Sequence, residues 1–441
     1  MLNRREFLGS AMLAAQARKP NVIVILADDL GYGELGCQGN RQIPTPNIDS
    51  IAENGVRFTS AYVSAPFCCP SRAGLMTGRY QTRFGHELNV TGRLNLDPGV
   101  GLPVQEKTIA DVLKAAGYAT GIFGKWHLGT DAKFHPLRRG FDEFYGFLHE
   151  GHFFAPPPYR GMTTRLRVKE PPYDDNNPLL RGTEPVEETE YLTHAITREA
   201  VAFIDRHHAS PFFLYLPYNA VHSPMQAPVD YMKRFNHMGD EQRQVFAAML
   251  SAMDDGVGSV LGRLRQWNLE QDTLVLFLSD NGGPTAELTS GNGRLRGGKG
   301  QLYEGGIRVP FMAQWNGRIP GGRVIHDPVI SLDILPTARE AAGGQAAGLD
   351  GVSLLPLMTG ARTAPHDSLF WRHAGDLALR RGRWKLFKPR TPDAAFQLYD
   401  LDQDLSETTD LAPRRPDLVA ELARELNALN SQMIRPLWGA R

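Results

Sequence analysis

Predominantly apolar runs occupy residues 21–27, 212–216 and 273–279, with polar residues only at their ends, and β-branched residues mark the first and last of these runs. Continuous hydrophobicity, rather than alternation, is the pattern of a strand buried on both faces of a parallel sheet. Helical spacing fills the intervals. Residues 45–52 read as a capped helix ending near Gly55. Thr108-Ile109-Ala110-Asp111 opens another in capping-box fashion, with Ile109, Val112, Leu113 and Ala116 on one face and Gly117 closing it. Leu192, Ile196 and Phe203 space a helix over 190–208, and a stripe from Phe246 to Leu264 belongs to a core helix. Residues 56–63 alternate as a half-buried strand does. After residue 345 the texture changes. Residues 377–381 and 383–388 read as a hairpin around Gly382, 396–401 as a third short strand, and 416–429 as an amphipathic helix. The pattern predicts an α/β domain with a large, mostly parallel sheet flanked by helices. A small C-terminal antiparallel sheet covered by a helix follows it.

Polar residues at the strand ends add chemistry. Asp28-Asp29 terminates the first run and Asp280-Asn281 the last. Carboxylates at the end of a buried strand are costly unless paired or bound to a cation, and open α/β sheets bind ligands at their carboxyl ends. Each pair read alone is also compatible with a solvated turn. Together they form an all-oxygen set suited to a hard cation such as Ca²⁺ or Mg²⁺, and not to zinc or copper. Lys125 and His127 lie two apart and point the same way if extended, where they can hold an oxyanion and shuttle a proton. His222 sits in the loop 218–224, and Lys299 in the Gly-rich basic loop 296–300 as a candidate anion contact. His149 and His152 flank a Pro-rich, irregular stretch over 150–185, expected to act as a substrate rim.

The length of 441 residues suits one large domain and a smaller one, divided here as 20–345 and 346–441 after a segment 1–19. Lysine plus arginine equals aspartate plus glutamate at 48 each, so no basic stripe calls for nucleic acid. Three cysteines do not make a disulfide framework. Arg4-Arg5-Glu6-Phe7-Leu8 is a twin-arginine pattern followed by a short apolar run and Ala15-Gln16-Ala17, a small-x-small cleavage site. That run is too short to span a bilayer. Export to the periplasm is the expectation, with no stable membrane span.

Cys68-Cys69-Pro70-Ser71-Arg72, extended through Tyr80, resembles the signature of the type I, formylglycine-dependent sulfatases of arylsulfatase type. The stretches 117–128, 218–224, 296–300 and 303–310 are similar to further motifs of that family, in family order. The resemblance implies an alkaline-phosphatase-like fold and oxidation of Cys68 to formylglycine by a maturation enzyme, which twin-arginine export of a folded protein would permit. It implies Asp28, Asp29, Asp280 and Asn281 as calcium ligands, touched also by the residue made from Cys68. Arg72 would hold the aldehyde hydrate, Lys125 and Lys299 the sulfate oxygens, and His127 and His222 would act around the hydrate and leaving group. The chemistry is consistent: a hydrated aldehyde offers one hydroxyl to attack a sulfate ester and a second from which sulfate is later expelled. The expected substrate is a sulfated saccharide or aryl sulfate, chosen by residues in 85–105 and 149–185. The alternatives are a formylglycine-dependent phosphonate or phosphate ester hydrolase, and a non-catalytic exported glycan-binding relative.

Overall fold

The computed structural model describes residues 19–345, 347–361 and 364–439; the twin-arginine segment lies outside them. Asn21–Ala27 is buried along its whole length, which is why its sequence does not alternate. It pairs in parallel with Thr273–Ser279 on one side and Phe212–Pro217 on the other. Ala119–Lys125 and Glu143–Phe147 extend the parallel array. Phe311–Gln314 and Val56–Phe58 add antiparallel pairings at one margin, where Arg323–Ile325 closes the edge. Leu180–Arg181 and Glu184–Pro185 form the other edge of this ten-stranded sheet. The α/β expectation is borne out.

Helices cover both faces. Ile23 and Ile25 point toward Pro46–Glu53, Leu192–His207 and Glu241–Gln266, while Val22, Val24 and Leu26 point toward Cys68–Thr77, Ile109–Ala115 and Ile334–Ala341. The predicted box at Thr108 forms: its Oγ1 accepts from Asp111 N at 3.1 Å and Asp111 Oδ2 accepts from Thr108 N at 3.0 Å. Glu241–Gln266 is, among the described residues, the one helix long and apolar enough to cross a membrane, and its apolar residues are buried in the core. Residues 56–63 differ from expectation. They split into Val56–Phe58 and Ala61–Tyr62, which join two different sheets.

The C-terminal sheet has four strands, not three. Ser368–His373, Asp376–Arg381, Trp384–Lys388 and Gln397–Asp400 form an antiparallel meander. Leu379, Leu386 and Leu398 face Leu422 and Leu426 of the helix Pro416–Asn430. Ala378, Phe387 and Tyr399 face the large domain. The alternation that sequence shows in these strands therefore buries both sides, one against a helix and one against the main body.

Buried ionic contacts at Glu304 and Asp333 help to join the subdomains, beside the pairs Arg83–Asp350 and Glu87–Arg372. Glu304 accepts from Tyr62 Oη at 2.6 Å, Lys385 Nζ at 3.0 Å and an Arg308 nitrogen at 3.2 Å, all buried. His366 Nε2 lies 2.8 Å from Asp333 Oδ1, whose carboxylate also accepts from Ile330 N and Val352 N. Burial opposes protonation of His366, but Asp333 raises its pKa above the ordinary 6.5. A raised histidine stabilises fully below its unfolded pKa, and the contribution is lost as pH rises through the folded value. The His366→Gln protein is accordingly expected to lose part of the fall in stability as pH rises above the ordinary histidine value of 6.5, read from urea midpoints. Parallel pH profiles of variant and parent would contradict this.

Candidate active site

The carboxyl ends of the central strands are tied together before any side chain is considered. Asp28 N donates to Ala220 O, Val221 N to Asp28 O, and Asp280 N to Ala27 O. This stitching sets the turns after Ala27, Pro217 and Ser279 side by side. Gly282 allows close approach of the next loop, since a Cβ there would strike the Gly305 carbonyl. That approach delivers Lys299 to the strand ends.

Cys68 opens the fully buried helix Cys68–Thr77, so its side chain leaves the first turn, where backbone N–H groups lack intrahelical partners. Gly78, at φ 64°, ends the helix by donating to Gly74 O. Cys68 Sγ lies 3.4 Å from Asp28 Oδ1. Lys125 Nζ donates to Asp28 Oδ2 at 2.5 Å. Arg72 binds Asp280 Oδ2 through Nε at 2.9 Å and also donates to Lys125 O. Asp29, held at φ 62°, accepts from Asn281 Nδ2 at 2.7 Å and from Lys299 Nζ at 2.8 Å, and His222 Nε2 stands 3.6 Å from its Oδ2.

Three carboxylates thus face three cations, and burial sharpens every charge. Burial alone would raise the Asp29 carboxyl, but Lys299 and His222 hold it well below the usual range. Burial and the neighbouring Asp28 push Asp280 up to about 6, against the pull of Arg72. Burial, Asp28 and Asp280 push the Cys68 thiol well up. Burial opposes the Lys299 ammonium, yet Asp29 raises its pKa well above the ordinary value. Burial lowers His222 to about 3 despite Asp29, with Lys299 and Lys125 adding to the effect.

The two histidines have defined tautomers, because a carbonyl only accepts. His222 Nδ1–H donates to Ser223 O at 2.6 Å, leaving the Nε2 lone pair toward the site. His127 Nε2–H donates to Val90 O at 2.6 Å, leaving Nδ1 buried and without a partner among the described residues. Burial and Lys125 hold His127 well below its ordinary pKa. Lys125 and His127 do not share an extended strand, as the spacing suggested. The strand ends at Lys125 and His127 takes φ 58°, so a left-handed turn aims the imidazole.

The donor set fits a hard cation. Ligand atoms of Asp28, Asp29, Cys68 and Asp280 all lie within 4.8 Å of one another. Asn281 Oδ1 is buried beside them with no hydrogen-bond donor among the described residues. A buried carbonyl oxygen without a donor, next to three carboxylates, is the arrangement that an oxygen-seeking divalent ion satisfies.

A cleft of about 770 Å³ opens above Cys68, His222 and Lys299. Asn89 and Thr91 line it from the 85–105 stretch, and Glu150, Arg167 and Tyr173 from 149–185. Asn89 also holds the helix Cys68–Thr77, accepting from Cys69 N at 3.1 Å. Tyr173 Oη is 2.9 Å from both Ser223 Oγ and an Arg167 nitrogen, which connects the rim to the His222 loop. These rim residues carry no motif, and only long-range contacts reveal them. His149 and His152 are buried away from the cleft, His152 against Phe153 O and Asp174. Cys69 turns to His86 Nε2 at 2.8 Å, and burial pushes its thiol up to about 12.

A family model described as Sulfatase matches residues 20–344. The chain belongs to the sulfatase family. A second model, of the N-sulphoglucosamine sulphohydrolase C-terminal region, matches residues 298–432. Human arylsulfatase A is 34% identical over 96% of this chain and 85% of its own length. Canine N-acetylgalactosamine-6-sulfatase is 36% identical over 84% of this chain and 72% of its own. The solved structure of Ps i-CgsB in complex with k-i-k-neocarrahexaose superposes with a TM-score of 0.88 at 37% identity, covering 96% of this chain and 95% of that one. A phosphonate monoester hydrolase of Agrobacterium radiobacter, 19% identical with a TM-score of 0.70, shares the fold alone. The chain is therefore a sulfatase, an enzyme acting on sulfated substrates.

Proposed function

We propose that this sulfatase removes sulfate from a sulfated saccharide, using a formylglycine made from Cys68 and a calcium ion held by Asp28, Asp29, Asp280 and Asn281. The observation that carries the reading is the position of Cys68 Sγ, against Asp28 in the cleft, with Lys299 and His222 lining the same cleft. As a hydrated aldehyde, residue 68 supplies a nucleophilic hydroxyl and a second hydroxyl from which sulfate is released. Calcium, when bound, supplies charge that lowers the cost of developing negative oxygen.

The remaining chemistry is the chain's own. Three carboxylates and three cations cancel here, so a dication would leave a surplus positive charge that draws a sulfate group to Lys125 and Lys299. Arg72 spans Asp280 and the Lys125 carbonyl and so fixes the first turn of the helix that presents residue 68. His127 keeps an unprotonated Nδ1, which suits a base that takes a proton from the hydroxyl of residue 68. Lys299 is fully charged and stabilises the leaving oxygen; His222 is neutral with the Nε2 lone pair toward the cleft, and donates to that oxygen only after Nε2 has taken up a proton. Asn89, Thr91, Tyr173, Ser223 and Gln301 offer amide and hydroxyl partners for sugar hydroxyls along the walls. Relatives that act on N-acetylgalactosamine 6-sulfate or bind neocarrahexaose support a saccharide as the leaving group. Twin-arginine export to the periplasm, with a formylglycine-generating maturation enzyme acting beforehand, completes the proposal.

The test is protein co-produced with such a maturation enzyme, followed by tryptic peptide mass and ion chromatography of released sulfate. The Cys68 peptide is expected to lose the mass of thiol-to-aldehyde conversion with Cys69 unchanged, and sulfated oligosaccharides to release sulfate. An unmodified Cys68 in protein from the native host, with no sulfate released, would overturn the mechanism. Chelation is expected to remove at least about 90% of activity, with recovery on adding Ca²⁺. Calcium is also expected to raise the melting temperature by a few degrees, by roughly RT ln(1 + [L]/Kd) of stabilisation. That rise should shrink in Asn281→Ala, and an identical rise in the variant would remove Asn281 from the ligand set.

A further inference from the structure

A second cavity of about 730 Å³ lies where the loop after Asp28-Asp29 meets the C-terminal subdomain. Arg57, Arg294, Arg308 and Arg380 line it, against a single carboxylate, Asp402. That carboxylate is itself within 4.0 Å of Arg383. Arg308 and Arg380 are buried and are held in place by oxygen acceptors: Arg308 by Thr59 O and Glu304, Arg380 by Gly382 O and the Tyr62 hydroxyl. Glu304 divides its charge between Arg308 and Lys385. Arg57 donates only to the neutral Gln38 Oε1, at 3.0 Å, and neither Arg57 nor Arg294 makes an ion pair among the described residues. The Gln38 amide nitrogen is buried with no acceptor among those residues. The cavity therefore carries surplus positive charge and an unused donor. Four guanidinium groups around an open volume present the planar, forked donors that match a tetrahedral oxyanion.

We propose that this cavity is a second oxyanion site, distinct from the catalytic cleft, which holds a sulfate group of a sulfated glycan. The assignment of the glycan rests on the saccharide reading above; the anion chemistry rests on the cavity alone. The two sites share a segment. Gly293, Arg294 and Leu295 line the cavity, and Gly297, Gly298 and Lys299 line the cleft. Occupancy of the cavity thus bears on the loop that carries Lys299. The same chemistry would accept free inorganic sulfate, the product of the reaction, so the ligand source is decided by experiment.

The experiment uses the full-length Cys68→Ala protein, which binds without turnover, titrated calorimetrically with a sulfated carrahexaose and, separately, with sodium sulfate. The comparison is the same protein carrying Arg57→Gln and Arg294→Gln, positions chosen because neither arginine enters the buried cluster at Glu304. Carrahexaose affinity is expected to fall about tenfold in that variant, the scale of losing charge-assisted hydrogen bonds. In the active enzyme the same pair should raise KM for carrahexaose and leave kcat/KM for 4-nitrophenyl sulfate unchanged. Arginine-dependent binding of sodium sulfate alone, at comparable affinity, assigns the free anion; dependence seen only with carrahexaose assigns the glycan. Binding of both titrants unchanged by the two substitutions overturns the site. An enzyme that cleaves the aryl sulfate but neither binds nor cleaves carrahexaose refutes the saccharide reading instead, and the sulfate titration still tests the cavity.

Discussion

Cys68→Ser is expected to lower steady-state sulfate release by at least about a thousandfold, a loss of roughly 4 kcal/mol or more of transition-state stabilisation, with little change in melting temperature. Serine fits the buried first-turn position, because the one hydrogen bond of the thiol among the described residues is a weak one, 3.4 Å to Asp28 Oδ1. What it lacks is chemical. One side-chain oxygen can attack a sulfate ester, but the β-carbon of serine then carries no second hydroxyl to drive sulfate off. The variant should therefore release at most one equivalent of alcohol and retain sulfate on the substituted side chain, visible by intact mass. Turnover within tenfold of the parent enzyme would sink the requirement for an aldehyde. Loss of folding would show as a lowered melting temperature, which separates the two causes of inactivity.

Glu304→Ala is expected to destabilise the protein by about 3–5 kcal/mol, the scale of removing one partner from a buried ionic group. Glu304 is fully buried between the large sheet and the C-terminal meander, and the substitution takes away the carboxylate shared by Lys385 and Arg308, leaving Lys385 with Glu407 at 2.8 Å and Arg308 with no carboxylate among the described residues. Glu304→Gln keeps an acceptor for Tyr62 and should cost less, and the difference between the variants reports the charge. The pH sign follows from the folded pKa. Burial would raise Glu304, but Lys385, Arg308 and Arg380 hold it down at about 2, below the ordinary 4.5. A depressed carboxyl contributes stability that is present above its unfolded pKa and lost as pH falls through the folded value. The parent should lose stability more steeply than Glu304→Gln between about pH 4.5 and 2. Glu407, raised by burial and by Glu304, works in the opposite direction and belongs in the fit. Chemical denaturation showing less than about 1 kcal/mol between parent and Glu304→Ala would mean that the cluster is dispensable.

The central strands are legible because they are buried on both faces, and double burial leaves continuous apolar letters in Asn21–Ala27 and Thr273–Ser279. The edge pairs Leu180–Arg181 and Glu184–Pro185 are not, since backbone hydrogen bonds hold them and place no demand on side chains. Ser368–His373 is not singled out by alternation, since Leu369, Phe370 and Trp371 run consecutively and all three pack between the domains, although Pro365 and Gly375 flank the strand. In the site, Asp28, Asp29, Asp280 and Asn281 can be named because an acid at the end of an apolar strand is conspicuous. Their mutual distances and the aim of Lys299 depend on contacts across more than two hundred residues, and the imidazole of His127 is fixed by the Val90 carbonyl, 37 positions away. The rim residues Asn89, Glu150, Arg167 and Tyr173 come from irregular stretches whose shape is set by tertiary hydrogen bonds rather than periodicity.

Neighbouring residues alone specify which strands are doubly buried, the Cys-x-Pro-Ser-Arg motif at a helix start, and the chemical types gathered at the strand ends. Which charges meet is a property of the folded chain: Glu304 with Lys385, Arg57 and Arg294 around one cavity, Asn281 Oδ1 without a donor beside three carboxylates. Coulomb energy depends on distance through space, and distance along the chain does not report it.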